Sequence, residues 1–242
     1  MVRQKAEKLL SEVVKQRRAT PHFDSTTIPD DHLRQILTAG LEAPSGYNLQ
    51  PWRFVVVRDA EQRKLLRLAA MNQAKIEEAS VVIVACGDIK GWCNQDLDEM
   101  LHLAAIHGDG GPAEHEKARR NITKFLGGTP GVIGGIGPDL AVWVNRHVMI
   151  ALTTMMWMAE ALGYDTAPME AFWEDKVQEL LKIPDSVRVV AMLAVGRAMG
   201  PDKPYAGRFS MSRLVFGEEW GRPIQLEKPE IDPSCPIENS ST

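Results

Sequence analysis

Between Asn145 and Leu162 the chain is apolar on most of a helical circumference. A helix of that kind has no polar face to turn to water, so other elements must cover it on several sides. Gly163 follows at the position where a left-handed residue commonly ends a helix. The uncharged run from Val148 to Ala159 is shorter than the roughly 20 residues that cross a bilayer, so protein has to supply the cover. This segment predicts a layered fold with one central helix and no membrane partner. The 242 residues are 44% hydrophobic and 25% charged, the balance of a globular domain. A net charge of −4 argues against bulk binding of nucleic acid.

Other elements follow from periodicity. Leu9, Leu10, Val13 and Val14 predict a first helix that stops shortly after Arg18, before Pro21. Leu33, Ile36, Leu37 and Leu41 give a stripe for a helix over residues 30–43, with Asp30 as its N-cap. Arg53 to Arg58, Val81 to Ala85 and Val189 to Val195 read as buried strands. Helices are expected over residues 60–70 and 173–181. Residues 107–140 form an excursion or lid, because glycine fills six of the eleven positions from Gly127 to Gly137. A single domain is expected over residues 1–221, with a proline-rich tail over 222–242. Few strands among long helices predict an α+β, or loosely α/β, fold with a small covered sheet.

Several chemistries are weak. The glycine cluster lacks the Lys-Ser/Thr of a phosphate loop, and no strand is predicted before it. Asp98 and His102 stand at i, i+4, with His107 and His115 nearby, but without HExxH or a cysteine pair; no metal is expected. No Gly-x-Ser-x-Gly occurs, and Cys86 ends an apolar strand as a small core residue would. The three cysteines are too few and too odd for a disulfide framework, and no apolar leader opens the chain. A reducing, cytoplasmic setting is expected.

Four pieces are less ordinary. Arg17-Arg18 can cap a helix or clamp an anion. Ala43 to Trp52 presents Ser45, Asn48 and Gln50 between two prolines, which suits the edge of an uncharged heterocycle. Ala167 to Phe172 and Gly207-Arg208-Phe209 are the other two. In this order they resemble the nitroreductase family of FMN-dependent oxidoreductases, over roughly residues 11–220. The matching runs are Arg17–Phe23, Ala43–Phe54, Ala161–Phe172 and Arg208.

The resemblance implies a small mixed or antiparallel sheet flanked by helices, in an intertwined homodimer with FMN at the interface. Arg17 and Arg208 would contact the FMN phosphate, with Arg18 and Ala19 lining that end. Ser45, Gly46, Tyr47, Asn48 and Gln50 would reach the ring and ribityl chain from the other subunit. Asn72 and Lys75 would meet the pyrimidine or ribityl. Pro168 and Met169 lead to Glu170 and Ala171, where a backbone N–H would reach flavin N5. His147 stands where glutamine is often found. Ala19 replaces a common serine, and Ala206 a common lysine. Pro21 replaces a usual cation near N1 and O2, which implies a lower flavin potential unless His22, Arg53 or another group substitutes. The implied activity is NAD(P)H-dependent reduction of nitroaromatics, quinones or similar small-molecule acceptors, with no side-chain catalyst required. Another flavin reaction (enone reduction, reductive dehalogenation or flavin fragmentation) and a non-catalytic FMN carrier are the alternatives. Residues 107–140 would shape the acceptor pocket, with Trp92, Phe125 and Trp143 able either to stack on the acceptor or to pack in the core.

Overall fold

Eight consecutive residues, Val81–Asp88, form a strand whose first seven members are all buried. A run apolar on both faces must sit inside a sheet with cover above and below. The computed structural model describes residues 10–24, 26–127, 139–201 and 204–226. Within them four strands, β1 (Trp52–Val57), β2 (Val81–Asp88), β3 (Asp165–Met169) and β4 (Val187–Gly196), form one sheet in the order β1-β2-β4-β3. All pairings are antiparallel, with a register break at Ala85/Cys86 between β2 and β4.

Alternation along β2 and β4 feeds two cores. Val81, Ile83, Ala85, Ala191, Leu193 and Val195 face α2 (Asp30–Leu41) and α8 (Leu140–Ala161). That layer also holds α6 (Asp96–Ile106) and α7 (Pro112–Leu126), through Leu97, Leu101, Ile122 and Leu126. Val82, Val84, Cys86, Met192 and Ala194 face α3 (Ala60–Ala69), α4 (Ala74–Glu78) and α9 (Glu174–Leu181). A short helix over residues 10–16, α1, precedes these, and α5 (Gly91–Asn94) leads into α6. The fold is thus α+β, with helices on both faces of the sheet.

The long helix is as central as its composition requires on one side only. Val148, Ala151, Leu152, Met155 and Ala159 have no exposed surface, and Thr154 Oγ1 donates to Ala39 O of α2 at 2.7 Å. On the other side Arg146, Met149, Ile150, Thr153, Thr154 and Trp157 line an open groove of about 380 Å³. The helix begins five residues before the expected Asn145, where Asp139 accepts a hydrogen bond from the Val142 N–H. It ends as expected. Gly163 (φ 79°) donates its N–H to Glu160 O and Tyr164 donates to Ala159 O, which closes the helix with a left-handed residue.

Some expectations are corrected. Asp30 is the first residue of α2; Pro29 takes the cap position, with no side-chain capping bond. Leu41, assigned to the buried stripe, is 52% exposed. Residues 165–169, for which no strand was expected, form β3. The excursion over 107–140 contains a 15-residue helix, α7; its glycine-rich part beyond Gly127 lies outside the described residues, as does the tail from residue 227. By backbone packing the chain falls into two units, Met1–Lys203 and Pro204–Thr242, so the boundary drawn at 221/222 lies inside the second. That unit contains α10 (Met211–Leu214) and a bridge between Phe216 and Pro223. No helix among the described residues is long and apolar enough to cross a membrane.

A β-carbon on residue 163 meets no atom within 4 Å, so Gly163→Ala isolates the left-handed conformation. Chemical denaturation should show a loss of about 1–2 kcal/mol. An unchanged midpoint would mean that the helix end does not need the glycine.

Candidate functional site

The segment from Ala43 to Trp52 is anchored at Ala43, Leu49 and Trp52, all buried. Between them lies a single 3-10 turn, Gly46–Asn48. Tyr47, Asn48 and Gln50 have φ of 56°, 55° and 44°, a region that costs L-residues about 1–2 kcal/mol each. Strain of this size persists only when surrounding bonds over-determine it. Here Ser45 Oγ accepts the Gln50 N–H at 3.0 Å. Arg53 Nη1 donates to Gln50 O at 3.2 Å and Trp52 O at 2.9 Å, while its Nη2 donates to Asp96 Oδ1 at 2.6 Å. From α8, His147 Nε2 accepts the Gly46 N–H at 2.9 Å.

The histidine's tautomer follows. Its Nδ1 lies 2.7 Å from Trp143 O, which can only accept, so Nδ1 carries the hydrogen and Nε2 offers its lone pair to Gly46. Both ring nitrogens are engaged within the chain. His147, expected as a cofactor contact, holds the Gly46 N–H of the loop through Nε2. A β-carbon on residue 46 would lie 3.2 Å from Trp143 and 3.3 Å from His147, so a larger residue there would require one of these side chains to shift by a few tenths of an ångström. With the backbone held, Tyr47 and Asn48 present exposed side chains.

A second group gathers at the β3 edge. Ala19 bridges to Thr166, and the Thr20 N–H donates to Thr166 O at 3.0 Å, which docks the chain after α1 beside β3. β3 runs through Pro168 and Met169 into Glu170 and Ala171. Gln73 Nε2 ties this end to the α3–α4 turn, donating to Ala171 O at 2.8 Å and Ala70 O at 3.1 Å. In that turn Met71 and Asn72 are left-handed, and Asn72 Oδ1 accepts from Arg67 Nε at 2.8 Å. Lys75 stands on α4, while Glu170 and Ala171 are exposed. Met169 is 4% exposed and its side chain belongs to the core, so only its backbone is available to a ligand.

The two arginines behave differently. Arg18 Nη1 donates to the carbonyls of Lys15, Gln16 and Arg17 at 2.6, 3.1 and 2.9 Å, as a cation capping the end of α1. Arg17 Nη1 is buried and has no hydrogen-bond partner among the described residues. A buried guanidinium nitrogen left unmatched is costly, and an oxyanion supplies the match. Pro21 is half-buried. Neither proposed substitute for a cation there is free: His22 pairs with Glu78 at 3.1 Å, and Arg53 with Asp96. Arg208 belongs to the second unit, where its guanidinium lies 5.5 Å from the Tyr205 ring and donates to Gly207 O.

The sheet separates the two groups. The strained loop enters edge strand β1, and Glu170-Ala171 leaves the opposite edge strand β3, at the same end of the sheet. Three strand spacings, about 14 Å, lie between them.

Beside the loop, α6 and α7 enclose a cavity of about 570 Å³, to which Tyr47 and Asn48 contribute. Tyr47 packs edge-on to Phe125 of α7 at 5.8 Å. Trp143, one of the stacking candidates, is 7% exposed and packs against His147 instead. Trp92 packs against the core and its Nε1 is buried without a partner. Burial holds the Asp96 carboxyl above its ordinary range despite Arg53, with Asp88 adding to the rise. Asp98 of the weak metal motif pairs with Arg119 at 2.6 Å. Sequence reasoning missed Gln73 and the bracing role of Arg53. Each stands next to a motif residue (Asn72, Trp52), but neither carries a local signal of its own.

The family model described as Nitroreductase family matches residues 14–197. A Thermus thermophilus protein named NADH dehydrogenase is 32% identical over 83% of this chain and 91% of its own length. A Bacillus subtilis relative assigned as an NAD(P)H nitroreductase is 29% identical over 81% of this chain and 90% of its own. Among solved structures, one from Exiguobacterium sibiricum, assigned as a nitroreductase in complex with FMN, has a TM-score of 0.74 and 25% identity. That match covers 86% of this chain and 97% of the other.

Two outcomes are expected. His147→Gln keeps an acceptor for Gly46 and a donor for Trp143, whereas His147→Leu keeps neither. Flavin titration should show the leucine variant weakened by about tenfold and the glutamine variant near the parent; equal losses would remove His147 from the loop's support. Burial pushes the Cys86 thiol up to about 12, whereas Cys93 is exposed. At pH 8 the reactive thiolate is therefore withheld at Cys86, and of these two a thiol reagent followed by peptide mapping should label only Cys93 until the protein is denatured.

Proposed function

The chain belongs to the nitroreductase family, and we propose from this that it is an FMN-dependent NAD(P)H oxidoreductase that reduces nitroaromatics, quinones or similar electron-poor molecules. The observation that carries the cofactor assignment is the buried, unmatched Arg17 Nη1. It fits the phosphate of a mononucleotide better than any neutral group. Arg208 is the proposed second contact, and Arg18 and Ala19 line that end.

When bound, FMN supplies hydride transfer between the nicotinamide and the acceptor. The protein's part is to bind and orient. Asn72 and Lys75 would meet the pyrimidine side, and the backbone of Glu170 and Ala171 would approach N5. Gln73 fixes the Ala171 carbonyl and so the direction of that backbone. Ser45, Gly46, Tyr47, Asn48 and Gln50 would cover the ring from a second copy of the chain. The separation of about 14 Å within one sheet supports that arrangement. So does the open groove on α8, which a second copy would close. With His22 and Arg53 engaged, Lys75 is the cation proposed for the pyrimidine side, where a nearby positive charge would favour the anionic reduced ring.

Arg17→Ala and Arg208→Ala should each weaken FMN binding by about 1–3 kcal/mol in a flavin fluorescence titration. Anaerobic addition of NADH or NADPH to the FMN-loaded protein should bleach the flavin. Bound flavin that neither nicotinamide reduces would make the chain a carrier and overturn the reductase reading.

A further inference from the structure

The cavity between α6 and α7 has an apolar interior and a charged mouth. Met100, Leu103, Ala104, Ala118 and Ile122 supply the apolar wall. At the mouth stand Asp109, Glu114, His107 and His115, and among the described residues no lysine or arginine lines the cavity. Of the four cations of α7, Arg119 pairs with Asp98 at 2.6 Å and Arg120 with Glu116 at 3.2 Å, and Lys117 and Lys124 are not among the lining residues. No ion pair engages Asp109 or Glu114 among the described residues. His115 Nε2 donates to Asp109 O at 2.7 Å, which locks the turn and leaves no donor at that nitrogen for a ligand. Glu114 Oε2 accepts the Gly111 N–H at 3.1 Å, so its carboxylate is held in place at the start of α7.

We propose that Asp109 and Glu114 act as a charge filter, so that the cavity takes flat, apolar-bodied molecules bearing a cationic or uncharged polar head and disfavours anionic ones. The apolar wall favours a ring of one or two fused cycles, since about 570 Å³ is within the range of small-molecule sites. The two carboxylates then act at the open end, where a head group remains partly hydrated. Placing the cavity's occupant as the electron acceptor rests on the reductase reading above. The charge preference itself is a binding property that does not require turnover.

The test uses two probes with the same ring, 4-nitrobenzyltrimethylammonium and 4-nitrobenzoate. Each is titrated calorimetrically into the FMN-loaded protein without nicotinamide. The cation should bind about tenfold more tightly at low salt, and the preference should shrink at high salt as screening shortens the field. Asp109→Asn with Glu114→Gln should reduce the ratio to about twofold. The glutamine retains an acceptor for Gly111, and no hydrogen bond to the Asp109 side chain is at stake, so the fold is kept. Each single variant should fall between. Equal binding of the two probes, preference for the anion, or a ratio unchanged in the double variant overturns the filter. Nicotinamide bleaching of the same preparation reports separately on the reductase reading.

Discussion

The seating of α8 on β2 and β4 is the interaction from which the rest follows. Val148, Ala151, Leu152 and Met155 fill one core layer with no exposed surface. The same helix, at the residue before Val148, carries His147 to the Gly46 N–H. A side chain on a long, packed helix is a rigid reference, and the loop it holds has little regular structure of its own. Loss of packing under α8 would therefore be felt as loss of loop geometry before any residue of the loop changed.

The loop shows why such a reference is needed. Three non-glycine residues in left-handed backbone oppose folding by several kcal/mol together. Ser45, Arg53 and His147 answer from three directions, each with hydrogen bonds to backbone. Asp96 in turn holds Arg53 and anchors it to α6. Burial makes the ionised Asp96 costly, and Arg53 only partly offsets that cost. The protein thus keeps a charge where an apolar residue would pack more cheaply, and this charge connects the loop to the wall of the neighbouring cavity.

Much of this was legible in the sequence, for physical reasons that vary by residue. β2 announced itself because a strand covered on both faces must be apolar throughout. Gly163 was legible because its left-handed backbone closes a helix. β3 was hidden by Pro168, which argues against a strand. It is tolerated because β3 is the sheet's edge strand, paired with β4 on one side and bridged on the other at Thr166 by Ala19, so a missing N–H at Pro168 breaks no inner ladder. α7 was hidden by its low hydrophobicity and by the glycines beyond it, since only Ile122 and Leu126 are fully buried along it. The Arg17-Arg18 pair carried two readings, and the structure divides them: Arg18 caps the helix, and Arg17 Nη1 is buried without a hydrogen-bond partner among the described residues. The contacts of His147 could not have been read from spacing, because they join a carbonyl one turn away and an amide 101 positions distant.

Tyr47 and Asn48 belong both to the strained loop and to the wall of the α6–α7 cavity. A wall common to two compartments makes their occupancies thermodynamically linked. A molecule that settles in the cavity and favours one arrangement of these two residues alters the affinity of whatever rests on the loop's other side. By linkage the effect is reciprocal and equal in size. Acceptor and cofactor would then be read by one another through a partition two residues wide, with no movement required of the helices that frame it.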